Sequence, residues 1–403
     1  MTPAARVQAA IEIIDDILAH MPAEKALKRW ARGARYAGSK DRAAVRDFVY
    51  QALRCRDSYA RMGHGMTGRG IMIGQIRALG HDTSALFTGA PYAPRPLSEA
   101  EHASNHERLS DAGSDQIPND LPPWLMQEFA ESLGAQNAIE AAAMLRQRAP
   151  VAIRLNARKT TRAALIASLL DDGIVAEPVA GVTSALHLTD AARRFSQSNA
   201  YKSGAAELQD AHSQAAMARL ESYEKQAVLD YCAGGGGKTL ALAAQGDARF
   251  FAYDADPRRM SDLPERARRA GVRVDILSAE TLEQHGPYDL VLCDVPCSGS
   301  GTWRRQPDAK WTLTRERFEA LCQMQSDILK LGADLTRAGG YLAYTTCSVL
   351  RQENTDQIDA FLSSKPDWKL AQSEVWPINA TGDGFFLAVL RCPGGNRQED
   401  QFA

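Results

Sequence analysis

The chain predicts an α/β protein whose C-terminal half is a doubly wound, mostly parallel sheet, preceded by an all-helical region and a small α+β unit. Three observations predict it. From Gln226 onward, short apolar runs alternate with turns and helical stretches. The first of these runs, Ala227–Leu229, leads through Asp230 into a glycine-rich turn and then a helix. The N-terminal region instead repeats apolar residues at helical spacing.

Taken in order, residues from Ala4 to about Arg61 read as helices. Val7, Ile11, Ile14, Ile17 and Leu18 share one helical face, and Ser39-Lys40-Asp41-Arg42 caps a second helix running to Arg54. Basic residues dot this region, among them Lys25, Lys28, Arg32 and Arg35. They suit either a solvated helix face or a nucleic-acid surface. Between Gly63 and Asp120 the periodicity blurs, and Gly, Pro and Ser clusters place a linker at about 110–121. Leu121-Pro122-Pro123-Trp124-Leu125 opens a helical stretch to about Gln147. Val151–Asn156 alternates as a strand, Thr160–Leu170 is helical, and Leu186–Leu188 is a short strand. Further strands are expected at Ala227–Tyr231, Phe250–Tyr253, Arg273–Leu277, Leu290–Asp294, Tyr341–Thr345 and Gly384–Leu390. Three domains follow: 1–110, 121–205 and 206–403.

Composition sets limits on function. The chain has 403 residues, enough for two or three domains with sizeable cores. A net charge of −2 does not mark a nucleic-acid binder overall, so local patches must carry any such reading. Seven dispersed cysteines without C-x-x-C spacing suit a reduced interior and no zinc site. No signal-peptide core opens the chain and no apolar run is long enough to span a bilayer, so a cytoplasmic protein, without membrane or metal partners, is expected.

Chemistry concentrates in three turns. In Cys232-Ala233-Gly234-Gly235-Gly236-Gly237-Lys238-Thr239, glycines allow close backbone approach and a helix N-terminus offers free N–H groups. Asp254, twenty positions past Gly234, ends the next strand, where a ribose hydroxyl partner belongs. A phosphate-binding Walker loop fits poorly, because Ala233 stands at its first glycine. A Rossmann cofactor with an adenosine moiety fits better. Asp294-Val295-Pro296-Cys297-Ser298-Gly299-Ser300-Gly301 and Thr345-Thr346-Cys347-Ser348 each leave a buried strand at its carboxyl end, where ligands bind in open α/β sheets. If those strands are neighbours, both thiols face one crevice. A thiolate beside a methyl donor has a use on a pyrimidine: adding to carbon 6 makes carbon 5 nucleophilic. Cys232 and Cys293, at or inside strands, read as small buried hydrophobes.

These motifs resemble the RsmB/Sun-type RNA 5-methylcytosine methyltransferases over nearly the whole chain. The most specific signals are Pro296–Gly301, Arg304-Arg305-Gln306-Pro307-Asp308, Thr346-Cys347-Ser348 with Glu353-Asn354, and Gly382-Asp383-Gly384-Phe385-Phe386. The Ser39–Arg54 stretch resembles their NusB-like RNA-binding domain. Pro123-Trp124-Leu125, Arg154-Leu155-Asn156 and Gln209–Gln214 resemble their small RNA-recognition-like subdomain, and the remainder resembles their class I methyltransferase domain.

The resemblance implies a monomer that binds S-adenosylmethionine and RNA, with 16S rRNA the expected substrate. Transfer RNA, and a non-catalytic assembly factor that kept the fold, are the alternatives. It makes Cys347 the nucleophile, Cys297 the group that assists product release, and Asp294 a holder of the cytosine edge or the methyl donor. Cys232 through Lys238 would wrap the cofactor, Asp254 its ribose and Glu280 the region of its adenine. Arg304, Arg305 and Lys310, beside the first thiol turn, are expected RNA contacts. The family's loop reads Ala-Pro-Gly-Gly-Lys-Thr, so Gly234-Gly235 replace Ala-Pro and should loosen it. Calorimetry on Gly235→Pro tests this, and cofactor affinity left unchanged or lowered would refute it.

Overall fold

The computed structural model describes residues 1–103, 119–220 and 226–394. The expected linker at 110–121 falls, for residues 110–118, outside the described residues. The chain folds into two compact units. One comprises Met1–Arg148 together with Trp303–Thr312, and the other comprises Ala149–Thr302 together with Leu313–Ala403.

The first unit has helices and no strand among its described residues. Helix Pro3–Leu18 buries Val7, Ile11 and Ile14 of the expected face, with Ala10 and Ile13 beside them, and leaves Ile17 and Leu18 partly buried. Helix Gly68–Ala78 was hidden in the blurred stretch. Its Gly68 and Gly70 through Ile76 are all buried, so it has no polar face to create a helical period. The stretch expected as one helix to Gln147 is two, Pro123–Leu133 and Ala135–Leu145. Gly134 breaks it, with φ +81°. The unit also takes in these two helices, which the expected boundaries give to the 121–205 domain.

Ten residues from far along the chain complete this unit. Trp303 is buried and stacks on Phe129 at 5.8 Å. Arg54 Nε donates to the Arg304 carbonyl (2.7 Å), Lys310 Nζ to the Arg54 carbonyl (2.9 Å), and Trp311 Nε1 to the Leu53 carbonyl (2.8 Å). The C-terminal end of helix Ser39–Arg54 thereby finds donors for its last carbonyls.

The second unit contains two sheets. The smaller is antiparallel, built from β1 (Ala152–Leu155), β2 (Val175–Pro178), β3 (Ala185–Asp190) and β4 (Ala206–Leu208) in the order β2-β3-β1-β4. The larger has β5 (Ala227–Asp230), β6 (Arg249–Ala252), β7 (Val274–Ile276), β8 (Tyr288–Asp294), β9 (Thr336–Thr346), β10 (Lys369–Trp376) and β11 (Phe385–Arg391). Its order is β10-β11-β9-β8-β5-β6-β7. Strands β5 to β9 run parallel, while β11 pairs antiparallel with both β9 and β10.

The central strands are apolar on both faces because both are covered. Val291 and Cys293 of β8 join a core with Leu329 of helix Arg315–Leu335, while Leu290 and Leu292 join Met217 and Leu242 on the other side. Strand β10 had no sequence signal: apart from Trp376 its residues are exposed or half-buried, as befits an edge. Chain order reverses between β5 and β8, and a crevice outside the carboxyl ends of those strands is where doubly wound sheets take ligands.

Candidate active site

Three of the expected segments leave the sheet at this reversal. The glycine loop follows β5, the first thiol turn follows β8, and the second follows β9. Strands β8 and β9 pair in parallel, with Asp294 opposite Thr345, so both thiol turns emerge on one edge. Cys297 Sγ and Cys347 Sγ lie 3.4 Å apart, both thiols free.

Their surroundings differ. Cys347 is lowered from the usual thiol range, first by the hydrogen bond from Cys297 and also by the Lys238 charge. Cys297 is pushed well up, by its bond to Cys347, by burial and by the Glu353 charge. Cys297 therefore keeps its proton and donates S–H to a Cys347 thiolate. The hydrogen bond between the two sulfurs is the first cause of both shifts; Asp294 opposes and Lys238 favours the Cys347 thiolate, while the Glu353 charge further disfavours one on Cys297.

Lys238, the second residue of helix Gly237–Ala243, pairs with Asp294 at 2.6 Å. Burial opposes its charge, but Asp294 and Cys347 outweigh that and raise its pKa. Asp294 also accepts from Thr345 Oγ1 at 3.2 Å. One lysine thus links the glycine loop, the Asp294 turn and the nucleophile.

A buried carboxylate fixes the Cys297 turn. Glu353 accepts from Ser298 N–H (2.7 Å), Ser298 O–H (2.5 Å) and Gln325 Nε2 (2.9 Å). The two thiol turns are also joined directly. Gly301 N–H donates to the Cys347 carbonyl (2.9 Å), and Ser300 Oγ meets Ser348 Oγ (2.9 Å). Asn354 accepts from Thr346 Oγ1 (2.5 Å) and donates to the Ser348 carbonyl (3.0 Å). The Gly382–Phe386 motif meets the same place: Gly384 N–H donates to the Gly301 carbonyl (3.0 Å). Its Asp383 N–H in turn donates to Asp210, and His212 Nδ1 bonds the Asp383 carbonyl (2.7 Å). Motifs far apart in sequence therefore form one hydrogen-bonded frame.

The glycine loop is shaped as a cradle. Gly234 and Gly236 have φ of +50° and +78°, the left-handed region. A Cβ on Gly236 would stand 2.2 Å from Leu263 Cδ1. Asp254 locks the loop, accepting from Gly234 N–H (2.9 Å) and pairing with Arg259 (3.0 Å). At the loop's base Asp230 is buried, and burial raises its carboxyl to about 7. Its Oδ2 accepts from Thr239 (2.6 Å), while its Oδ1 has no donor within the described residues. A leftover buried acceptor beside a glycine cradle fits a ligand that carries a cation. Burial and neighbouring carboxylates push the Cys232 thiol up, so it is no nucleophile. Glu280 is exposed, four residues past the end of β7.

Two expected RNA contacts are corrected. Arg304 and Lys310 are both buried, and Lys310 is spent on the Arg54 carbonyl and the Trp311 ring (4.9 Å). Groups so enclosed present no cation to a phosphate, whereas Arg305 is exposed. The arginine run from 258 to 273 is likewise engaged: Arg258, Arg259, Arg266, Arg268, Arg269 and Arg273 each pair with a carboxylate. Asp230 and Glu353 were not singled out as site residues. Asp230 had a signal, a carboxylate ending an apolar strand before the glycines. Glu353 had only the Glu-Asn pair itself.

A Rossmann-like methyltransferase domain carrying two adjacent thiols is what this fold and site define. Comparison narrows the class. The family described as 16S rRNA methyltransferase RsmB/F matches residues 217–391, and the RsmF/B-like ferredoxin-like domain matches 121–193. The chain is similar to ribosomal RNA small subunit methyltransferase B of Vibrio cholerae, 32% identical over 67% of this chain and 64% of that one. It is also similar to the proteins of the same name from Citrobacter koseri, 34% identical over 67% and 66%, and Sodalis glossinidius, 30% identical over 70% and 68%. The chain thus spans about two thirds of the length of these relatives. Among solved structures, PH0851 aligns with TM-score 0.74 and 23% identity over 97% of this chain and 99% of that one. NSun6 from Pyrococcus horikoshii, solved with SFG, aligns with TM-score 0.59 and 18% identity over 68% and 99%. The chain belongs to the RsmB/F methyltransferase family.

Proposed function

We propose that this protein methylates carbon 5 of a cytosine in RNA, with small-subunit ribosomal RNA as substrate and S-adenosylmethionine as methyl donor. The observation that carries the reading is the pair of free thiols, Cys297 Sγ and Cys347 Sγ, 3.4 Å apart at the ends of paired strands, and the opposite directions of their pKa shifts support it. Two thiols so arranged offer one charged nucleophile and one proton-holding partner, which is what addition and later elimination at a pyrimidine require. The family membership and the names of the relatives support ribosomal RNA.

The roles follow from the environments. Cys347 Sγ adds to carbon 6 of the base, forming the C–S bond and moving the ring's electron pair toward carbon 5. Asp294, held by Lys238 and Thr345, would orient the base edge. S-adenosylmethionine, when bound, supplies an electrophilic methyl group for carbon 5. The Cys232–Lys238 loop, Asp254 and Asp230 would hold it, Asp230 Oδ1 being the acceptor left for its ammonium group. Once Cys347 is a neutral thioether, it no longer raises Cys297 by charge or by hydrogen bond, so Cys297 gives its proton to solvent and becomes a thiolate. The Cys297 thiolate then takes the proton from carbon 5, the C–S bond breaks, and Cys347 leaves as thiolate. The base must be unpaired to be reached by this route.

Bisulfite sequencing of total RNA from a strain lacking the protein tests the reading. One lost 5-methylcytosine in 16S rRNA is expected. A lost site in transfer RNA would move the substrate, and no lost site would sink the enzyme reading.

A further inference from the structure

The helical unit has a cleft of about 1000 Å3 that the chemistry described above does not use. Ile11 and Trp30 line it, and Tyr36, Tyr92 and Arg95 stand along it. Tyr36 and Tyr92 are 72% and 83% exposed, the two most exposed large hydrophobic side chains among the described residues. Exposed single aromatics are ordinary, but two on one cleft beside a half-buried Trp30 form a patch, and patches mark binding sites.

Tyr92 is also held out by its backbone. Its φ is +66°, a left-handed conformation that a bulky side chain rarely adopts. The loop around it is braced. Gly89 N–H donates to the Pro94 carbonyl (2.9 Å) and Ala93 N–H to the Ala90 carbonyl (2.9 Å). Arg69 donates to the carbonyls of Arg95 (3.1 Å) and Pro96 (3.0 Å) while pairing with Glu101 (2.8 Å). Arg69 is thus consumed by the loop. The Arg95 side chain is exposed and forms no ion pair among the described residues. Arg32 and Arg35, exposed as well, flank Trp30 and Tyr36 in sequence. Glu12 is the carboxylate on the cleft wall.

Ring faces with the Arg95 guanidinium beside them match a nucleobase with its phosphate: rings stack on bases and arginine meets the backbone, while Glu12, which accepts from Gln8 Nε2 (2.8 Å), keeps acceptor capacity for an exocyclic amine. An apolar partner would leave the cations unanswered. Given an RNA substrate, on which this inference rests, we propose that the cleft stacks unpaired bases of single-stranded RNA, with Tyr36 and Tyr92 on the base faces and Arg95 on a phosphate.

Fluorescence anisotropy on the full chain tests it, using an unstructured RNA of about 12 nucleotides and a duplex of the same sequence. Tyr36→Ala and Tyr92→Ala are each expected to weaken single-strand binding by about 5- to 150-fold, the size of one stacking contact, and to leave duplex binding unchanged. Tyr92→Phe, which keeps the ring, should bind as the unmodified chain does. Tyr92→Gly relaxes the backbone, so its Tm should hold or rise while strand affinity still falls. Strand binding unmoved by the alanine substitutions, or lost equally for strand and duplex, would overturn the proposal. So would a dimer in sedimentation that Tyr92→Ala dissolves, since the occupant would then be a second copy. Adduct formation by Cys297→Ala reads the chemistry separately. Tyr92-dependent strand binding with no adduct on any RNA would keep the cleft and remove the catalytic reading. Adduct formation with Tyr92-independent binding would do the reverse.

Discussion

Replacing Cys297 with alanine should separate two roles that one residue performs at different times. Before the reaction, its S–H donates to the Cys347 sulfur across 3.4 Å and is the largest influence holding that thiol down. A hydrogen bond to a charged group contributes about 1.5–3 kcal/mol. Without it, the Cys347 thiolate population below its titration midpoint should fall roughly 10- to 150-fold. Lys238 remains, so the thiolate is depleted and not abolished. Alkylation of Cys347 by iodoacetamide, followed by peptide mass spectrometry across pH, reads this directly. The alkylation profile of Cys297→Ala should move to higher pH, and Cys297→Ser, which keeps a donor, should lie between. After base addition the same substitution removes the group that takes the carbon 5 proton. Adduct should therefore form slowly and then persist through a denaturing gel, whereas Cys347→Ala should form none. An unshifted alkylation profile would refute the polarisation argument. Adduct accumulation in Cys347→Ala but not in Cys297→Ala would show that the roles are reversed.

Three further outcomes follow from the frame around the thiols. Glu353→Ala leaves three donors without their acceptor and should cost roughly 2–4 kcal/mol, read as a lower denaturation midpoint; a change under about 0.5 kcal/mol would mean the carboxylate is not holding the Cys297 turn. Gly301→Ala places a Cβ 2.4 Å from the Gly384 carbonyl oxygen, so the two turns must part; adduct formation should drop at least tenfold, and unimpaired activity would refute that close approach. Asp230 has a folded-state pKa of about 7, above its unfolded value, so the folded state holds the extra proton and its contribution to stability is lost as pH rises from about 4 to about 7. Asp230→Asn should flatten that slope in thermal melts and weaken S-adenosylmethionine binding in calorimetry, and an unchanged slope would show the carboxyl ionises freely.

Much of the fold was legible because it is written locally. The helical spacing of Val7, Ile11 and Ile14 and the apolar runs of β5, β8 and β11 report burial through sequence period alone. Helix Gly68–Ala78 and strand β10 escaped for opposite reasons, one buried on all sides and the other scarcely buried. The site was legible as a set of turns: the glycine loop and both thiol turns each end an apolar strand.

What tertiary structure decided was which residues meet. Nothing local to Arg304 or Lys310 distinguishes a surface cation from one enclosed among Trp303, Trp311 and the end of helix Ser39–Arg54. Nor could sequence rank the two thiols by physics alone, because that ranking depends on the hydrogen bond between the two sulfurs and on the Lys238, Asp294 and Glu353 charges gathered around them. Lys238 and Glu353 are more than one hundred residues apart. Electric fields act through space and burial, so the residue types, turns and strand ends were determined by the sequence as read, and the charge on each sulfur by the fold.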